Sequence, residues 1–123
     1  MWGKTNAQGN NGKKYQTGTA ATSSGYSFTK NNGAVVADQP SVEVSGLTFL
    51  PSMIILKYDT YGYTIYRSDL SAPGKILMAR ASAPGSDTLA GTIWQLVSSA
   101  YVTASGFRLP VAAAQTYTWE AYE

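Results

Sequence analysis

The densest group of side chains able to recognise a ligand lies between Tyr58 and Arg67: Tyr58-Asp59-Thr60-Tyr61-Gly62-Tyr63-Thr64-Ile65-Tyr66-Arg67. Tyrosine rings stack on sugar faces, while Asp, Thr and Arg hydrogen-bond to hydroxyls. Asp59, Tyr61, Tyr63, Tyr66 and Arg67 are therefore candidate ligand-binding residues, with Tyr61, Tyr63 and Arg67 foremost because a turn exposes what it carries. Two other uses of the same residues stand beside this one. The rings can be core and cross-strand pairs, which sheets favour, or they can face a neighbouring subunit, where Tyr and Arg are enriched.

Other chemistry is constrained by what the chain lacks. It has no histidine and no cysteine, which removes Ser-His-Asp and Cys-His catalysis and the usual zinc sites. The Gly-Lys pairs at 3–4, 12–13 and 74–75 lack the spacing of a phosphate loop. Paired carboxylates could hydrolyse a glycoside, and Glu43, Asp59, Asp69, Asp87, Glu120 and Glu123 are the candidates, with Asp59 and Asp69 flanking the tyrosine-rich segment. Asp in turns also bonds to its own backbone, and no spacing singles out a pair. The expectation is no enzyme, no cofactor and no metal.

A chain of 123 residues forms one domain with a real core. Only 13% of its residues are charged, about half the usual share, so Ser, Thr, Asn, Gln and Tyr supply much of the polar surface. Abundant Thr, Val and Tyr favour strands. A formal net charge of +2 is too small to imply nucleic acid. Lys4, Lys13, Lys14 and Lys30 precede the first acid, Asp38, in a basic leading segment that reads as solvated. Met1-Trp2-Gly3-Lys4 leads into polar residues, unlike a secretory signal, and no apolar run reaches membrane-span length, so no membrane insertion is expected.

Residues 1–13 are rich in Gly, Asn, Gln and Lys and predict a flexible arm, with the folded domain over 14–123. Val42 to Tyr58 organises that domain. Val42 and Val44 flank Glu43 as in a half-buried strand. Pro51-Ser52 forms a corner, and Met53 to Leu56 suits a central strand covered on both faces. Further strands are expected at 14–22, 26–29, 34–37, 63–67, 75–81, 92–97, 101–103, 107–111 and 116–122. Turns are expected at Ser23-Ser24-Gly25, Asn31-Asn32-Gly33 and 59–62, and a break at Asp38-Gln39-Pro40. Lys75 to Ala81 reads as a strand by context, although its residues equally suit a helix. Tyr117, Trp119 and Ala121 share one face, and Trp94, Phe107 and Trp119 are expected in the core. Short strands at this spacing predict an all-β fold, an antiparallel β-sandwich of jelly-roll-like type.

Three pieces carry a resemblance. They are Lys14-Tyr15-Gln16-Thr17-Gly18-Thr19, then Val42-Glu43-Val44-Ser45-Gly46-Leu47-Thr48-Phe49-Leu50-Pro51-Ser52, and then Gly106-Phe107 with the closing Tyr117-Thr118-Trp119-Glu120-Ala121. Together they resemble the C-terminal β-domain of structural proteins of tailed bacteriophages, found in tail fibres, baseplate accessory proteins and head fibres. The resemblance implies a homotrimer in the virion, contacts with other virion proteins, no catalytic residues, and an exposed tip suited to a host-surface glycan. The alternatives are a carbohydrate-binding module that uses the tyrosine turn, and a glycan hydrolase of the carboxylate type.

Overall fold

The computed structural model describes residues 12–30, 32–58, 62–69, 75–81, 89–95 and 101–123, and the expected arm over 1–13 lies almost wholly outside them. The described strands are β1 (Tyr15–Ala21), β2 (Ser23–Thr29), β3 (Val35–Ser45), β4 (Met53–Tyr58), β5 (Gly62–Arg67), β6 (Lys75–Ala81), β7 (Leu89–Gln95), β8 (Val102–Thr103), β9 (Gly106–Pro110) and β10 (Thr116–Tyr122). All described pairings are antiparallel. They build a four-stranded sheet in the order β2-β3-β9-β8 and a six-stranded sheet in the order β1-β10-β4-β5-β6-β7. The two sheets pack face to face as a β-sandwich.

Alternation along the strands creates the core. Val42 and Val44 of β3, Phe107 and Leu109 of β9, and Tyr117, Trp119 and Ala121 of β10 are buried, as the period-two pattern requires. Phe107 and Trp119 meet edge to face between the sheets, ring centroids 5.9 Å apart. A second tie is polar. Thr64 Oγ1, buried in β5, donates to the Pro110 carbonyl at the end of β9 over 3.1 Å. That bond satisfies a hydroxyl which would otherwise be costly to bury.

The segment from Val42 to Tyr58 behaves as a bracket. β3 lies in the smaller sheet and β4 in the larger, so the corner between them carries the chain across the sandwich. Leu47, Phe49 and Pro51 point into the core, while Thr48, Leu50 and Ser52 face out. β4 is central within its sheet, bonded to β10 and β5. Its Ile54, Leu56 and Tyr58 are buried, but Met53 and Ile55 are only half-buried. The expected cover on both faces is therefore incomplete, because the smaller sheet packs on one side alone.

Two local readings need adjusting and one ambiguous strand is upheld. Ser23-Ser24-Gly25 is not a turn. It lies in β2, where Gly25 has φ 82° and the pairing with β3 shifts register between Ser23 and Tyr26 and again between Tyr26 and Phe28. Asp38-Gln39-Pro40 is not a break, because β3 runs through it with Asp38 at φ 55°, a left-handed residue taken up as an irregularity within one long strand. Lys75 to Ala81 is a strand, paired throughout with β7. Helix propensity loses here to tertiary pairing on both edges. Asn32-Gly33 does turn the chain as expected, with Gly33 at φ 88° and the Gly33 amide donating to the Lys30 carbonyl over 2.9 Å.

Candidate functional site

Antiparallel register decides which candidate side chains can act together. Asp59 and Tyr61 lie outside the described residues. Tyr63 occupies the register position opposite Lys57 and Ala79. Tyr66, opposite Ile54 and Ile76, is 5% exposed and belongs to the core, so it does not present its ring to a ligand. Burial accordingly pushes the Tyr66 phenol above its ordinary range. Tyr58 is buried too, with its ring edge-on to Tyr117 at 5.0 Å. A Cβ on Gly62, directly opposite, would run into the Tyr58 ring, so glycine there makes room for the aromatic. For these two tyrosines the core alternative holds.

Arg67 follows Tyr66 and therefore faces the other way, exposed. Its Nε donates to Asp69 Oδ1 over 2.9 Å and its Nη2 to Asp69 Oδ2 over 2.6 Å. This fork holds the Asp69 carboxyl below the usual carboxylate range, chiefly through the hydrogen bond from Arg67, which outweighs the opposing desolvation and is aided by the Arg67 charge. A fork already closed on a carboxylate has fewer donors for a ligand. Tyr66 and Arg67 are thus not brought together.

The candidate carboxylates are also dispersed. Glu43 pairs with Arg108, Asp69 with Arg67, Glu120 accepts from Tyr122 Oη over 3.0 Å, and Glu123 accepts from the Lys14 amide over 3.0 Å. Asp59 and Asp87 lie outside the described residues. Among the described residues no three His, Cys, Asp or Glu side chains gather as a metal site would require.

A different site lies on the smaller sheet, where a groove of about 290 Å³ draws on all four strands. Glu43 and Arg108 alternate with the buried valines of β3 and with Phe107 and Leu109, so they stand on the face turned from the core. They are direct cross-strand partners. Arg108 Nη2 donates to Glu43 Oε1 over 2.7 Å, and its Nη1 donates to Ser41 Oγ over 2.9 Å and to Ser23 Oγ over 3.3 Å. The guanidinium lies 4.2 Å from the centre of the Tyr26 ring, an arrangement favoured by the ring quadrupole. Tyr101 stands edge-on to Tyr26 with centroids 6.5 Å apart, and its hydroxyl accepts from the Thr29 amide over 3.3 Å. Thr103 and Ser105 bring hydroxyls to the other end, 3.3 Å from each other.

The sequence held a partial signal for this groove. Glu43 between Val42 and Val44, and Arg108 between Phe107 and Leu109, are opposite charges each flanked by apolar neighbours on an alternating segment. Their pairing depends on a register spanning 65 residues of chain. The position of Tyr26 depends on the irregular β2, which has no signature beyond Gly25.

Comparison with known proteins finds no matching family model, no matching curated protein and no matching solved structure.

Proposed function

We propose that this chain is a non-enzymatic structural domain of a tailed-bacteriophage virion, of tail-fibre, baseplate or head-fibre type, which assembles as a homotrimer and displays a surface toward the host. One observation carries the reading. The separate pieces of sequence that resemble such domains form one contiguous block. β1 lies along the whole of β10, and Ser45 and Val44 pair with Gly106 and Phe107. The Thr48 amide donates to Gln16 Oε1 over 3.0 Å, and the Ser52 amide donates to the Tyr122 carbonyl over 2.7 Å. A resemblance confined to residues that build one packed unit fits a shared fold kernel better than scattered chance similarity does.

Assembly has its own physical support. On the face of the larger sheet turned from the core, the register sets Ile55 beside Ile65, Ile65 beside Leu77, and Leu77 beside Ile93. Ile55 and Ile65 are only half-buried, as is Met53 one row away. The half-buried Met53, Ile55 and Ile65 gain by meeting a second copy of the chain, and mass action then stabilises the folded subunit. Virion particles purified from the source of the sequence test the reading. Mass spectrometry should find peptides of this chain at a constant ratio to the capsid protein, and their absence would overturn it.

A further inference from the structure

We propose that the groove between Tyr26, Tyr101 and the Arg108–Glu43 pair binds a neutral saccharide, one or two sugar units long. This goes beyond the virion reading and does not depend on it.

The chemistry of the walls selects the ligand. Arg108 spends three hydrogen bonds on Ser23, Ser41 and Glu43 and lies against the Tyr26 ring, so its position is fixed by two neighbouring strands, one of which also supplies the aromatic. Ser41 beneath it is fully buried, which makes the anchor rigid. Glu43 is held through Oε1 alone and its side chain is 61% exposed. Oε2 has no partner among the described residues and is an acceptor ready for ligand hydroxyls. The two charges are paired at 2.7 Å, so the site carries no net charge to draw an anion. What remains is an oriented carboxylate oxygen, the Ser105 hydroxyl beside a Thr103 hydroxyl that donates to the Gly106 carbonyl over 3.1 Å, and the outer edges of two partly buried phenol rings that pack inward on Phe28 and stand at 82° to one another. A ligand that matches has several hydroxyls on one edge and apolar C–H faces, which describes a sugar ring. The volume, about 290 Å³, lies at the small end of ligand sites. All four strands of the sheet contribute, and sites built on strands hold their geometry better than sites on loops.

The test is amide chemical-shift mapping on the full isotope-labelled chain, titrated with methyl glycosides of neutral hexoses and N-acetylhexosamines, with a sialoside as the charged comparator. The expected result is saturable shifts at Ser45, Thr103, Ser105 and Gly106, and an affinity about tenfold lower in Glu43→Gln, which keeps an acceptor for Arg108 but removes the charged oxygen. Should Glu43→Gln lose its dispersed spectrum, Ser105→Ala gives the same comparison from the other end of the groove. Shifts confined to residues 62–67, tighter binding of the sialoside, or no shifts up to about 20 mM of every glycoside would each overturn the proposal. Because the titration uses the isolated chain and the virion reading is tested on particles, either can fail while the other stands.

Discussion

Gly18 and Trp119 face each other across the ladder between β1 and β10, and their coupling can be measured. A Cβ built on Gly18 lies 3.0 Å from three atoms of the Trp119 indole, Cε2, Cζ2 and Nε1. The indole is 8% exposed and meets Phe107 edge-on at 5.9 Å, so it has little room to withdraw. Gly18→Ala should therefore cost about 1–3 kcal/mol by overpacking, although alanine is otherwise the better strand residue. Trp119→Ala should cost about 3–5 kcal/mol, from lost burial, the cavity left behind and the lost Phe107 pair. In the Trp119→Ala background the obstruction is gone, and Gly18→Ala should stabilise by about 0.5–1 kcal/mol. The sign of the Gly18 effect thus reverses, and the coupling is about 2 kcal/mol or more. Urea unfolding followed by far-ultraviolet circular dichroism measures all four proteins without relying on the removed fluorophore. Costs that add within about 0.5 kcal/mol would refute the claim that glycine is there to seat the indole.

Three other outcomes follow from the same structure. Thr64→Val leaves the Pro110 carbonyl without its 3.1 Å donor inside the sandwich and should lower the unfolding free energy by about 1–3 kcal/mol in urea titrations. Burial raises the Tyr66 phenol, and burial followed by Glu120 raises that of Tyr122; the unfolded chain then loses these protons first, near pH 10, so the urea midpoint should hold steady below about pH 10 and fall as pH rises beyond it. A midpoint unchanged up to pH 11 would contradict this. Ile65→Glu, at a half-buried position on the face of the larger sheet turned from the smaller one, should convert the proposed trimer to folded monomers in sedimentation experiments, and a wild-type chain already monomeric at micromolar concentration would count against the trimer.

Much of the sandwich was legible because alternation is a local property. Val42-Glu43-Val44, Phe107-Arg108-Leu109 and Tyr117 to Ala121 each announce a buried and an exposed face, and the structure keeps every assignment. Pro51 marks the corner because it cannot serve a central ladder. Readings failed where a turn signal was absorbed into a strand. Gly25 and Asp38 take left-handed backbone conformations, as turn residues do, yet each sits at a register shift and the long-range pairing resumes on either side of it. The site was the least legible part. Clustering in sequence drew attention to Tyr58 through Arg67, but alternation sends Tyr58 and Tyr66 into the core and Arg67 to the opposite side. The groove is assembled from β2, β3, β8 and β9, and its members become neighbours only through register.

The central claim is that this domain is mounted on a virion, and the most direct measurement is imaging of purified particles with gold-labelled antibody against the chain. The account predicts label at one fixed place on the particle, on the tail or the head, with copy number in multiples of three. Particles that carry no label above background, with the protein recovered only in the unassembled fraction, would contradict it.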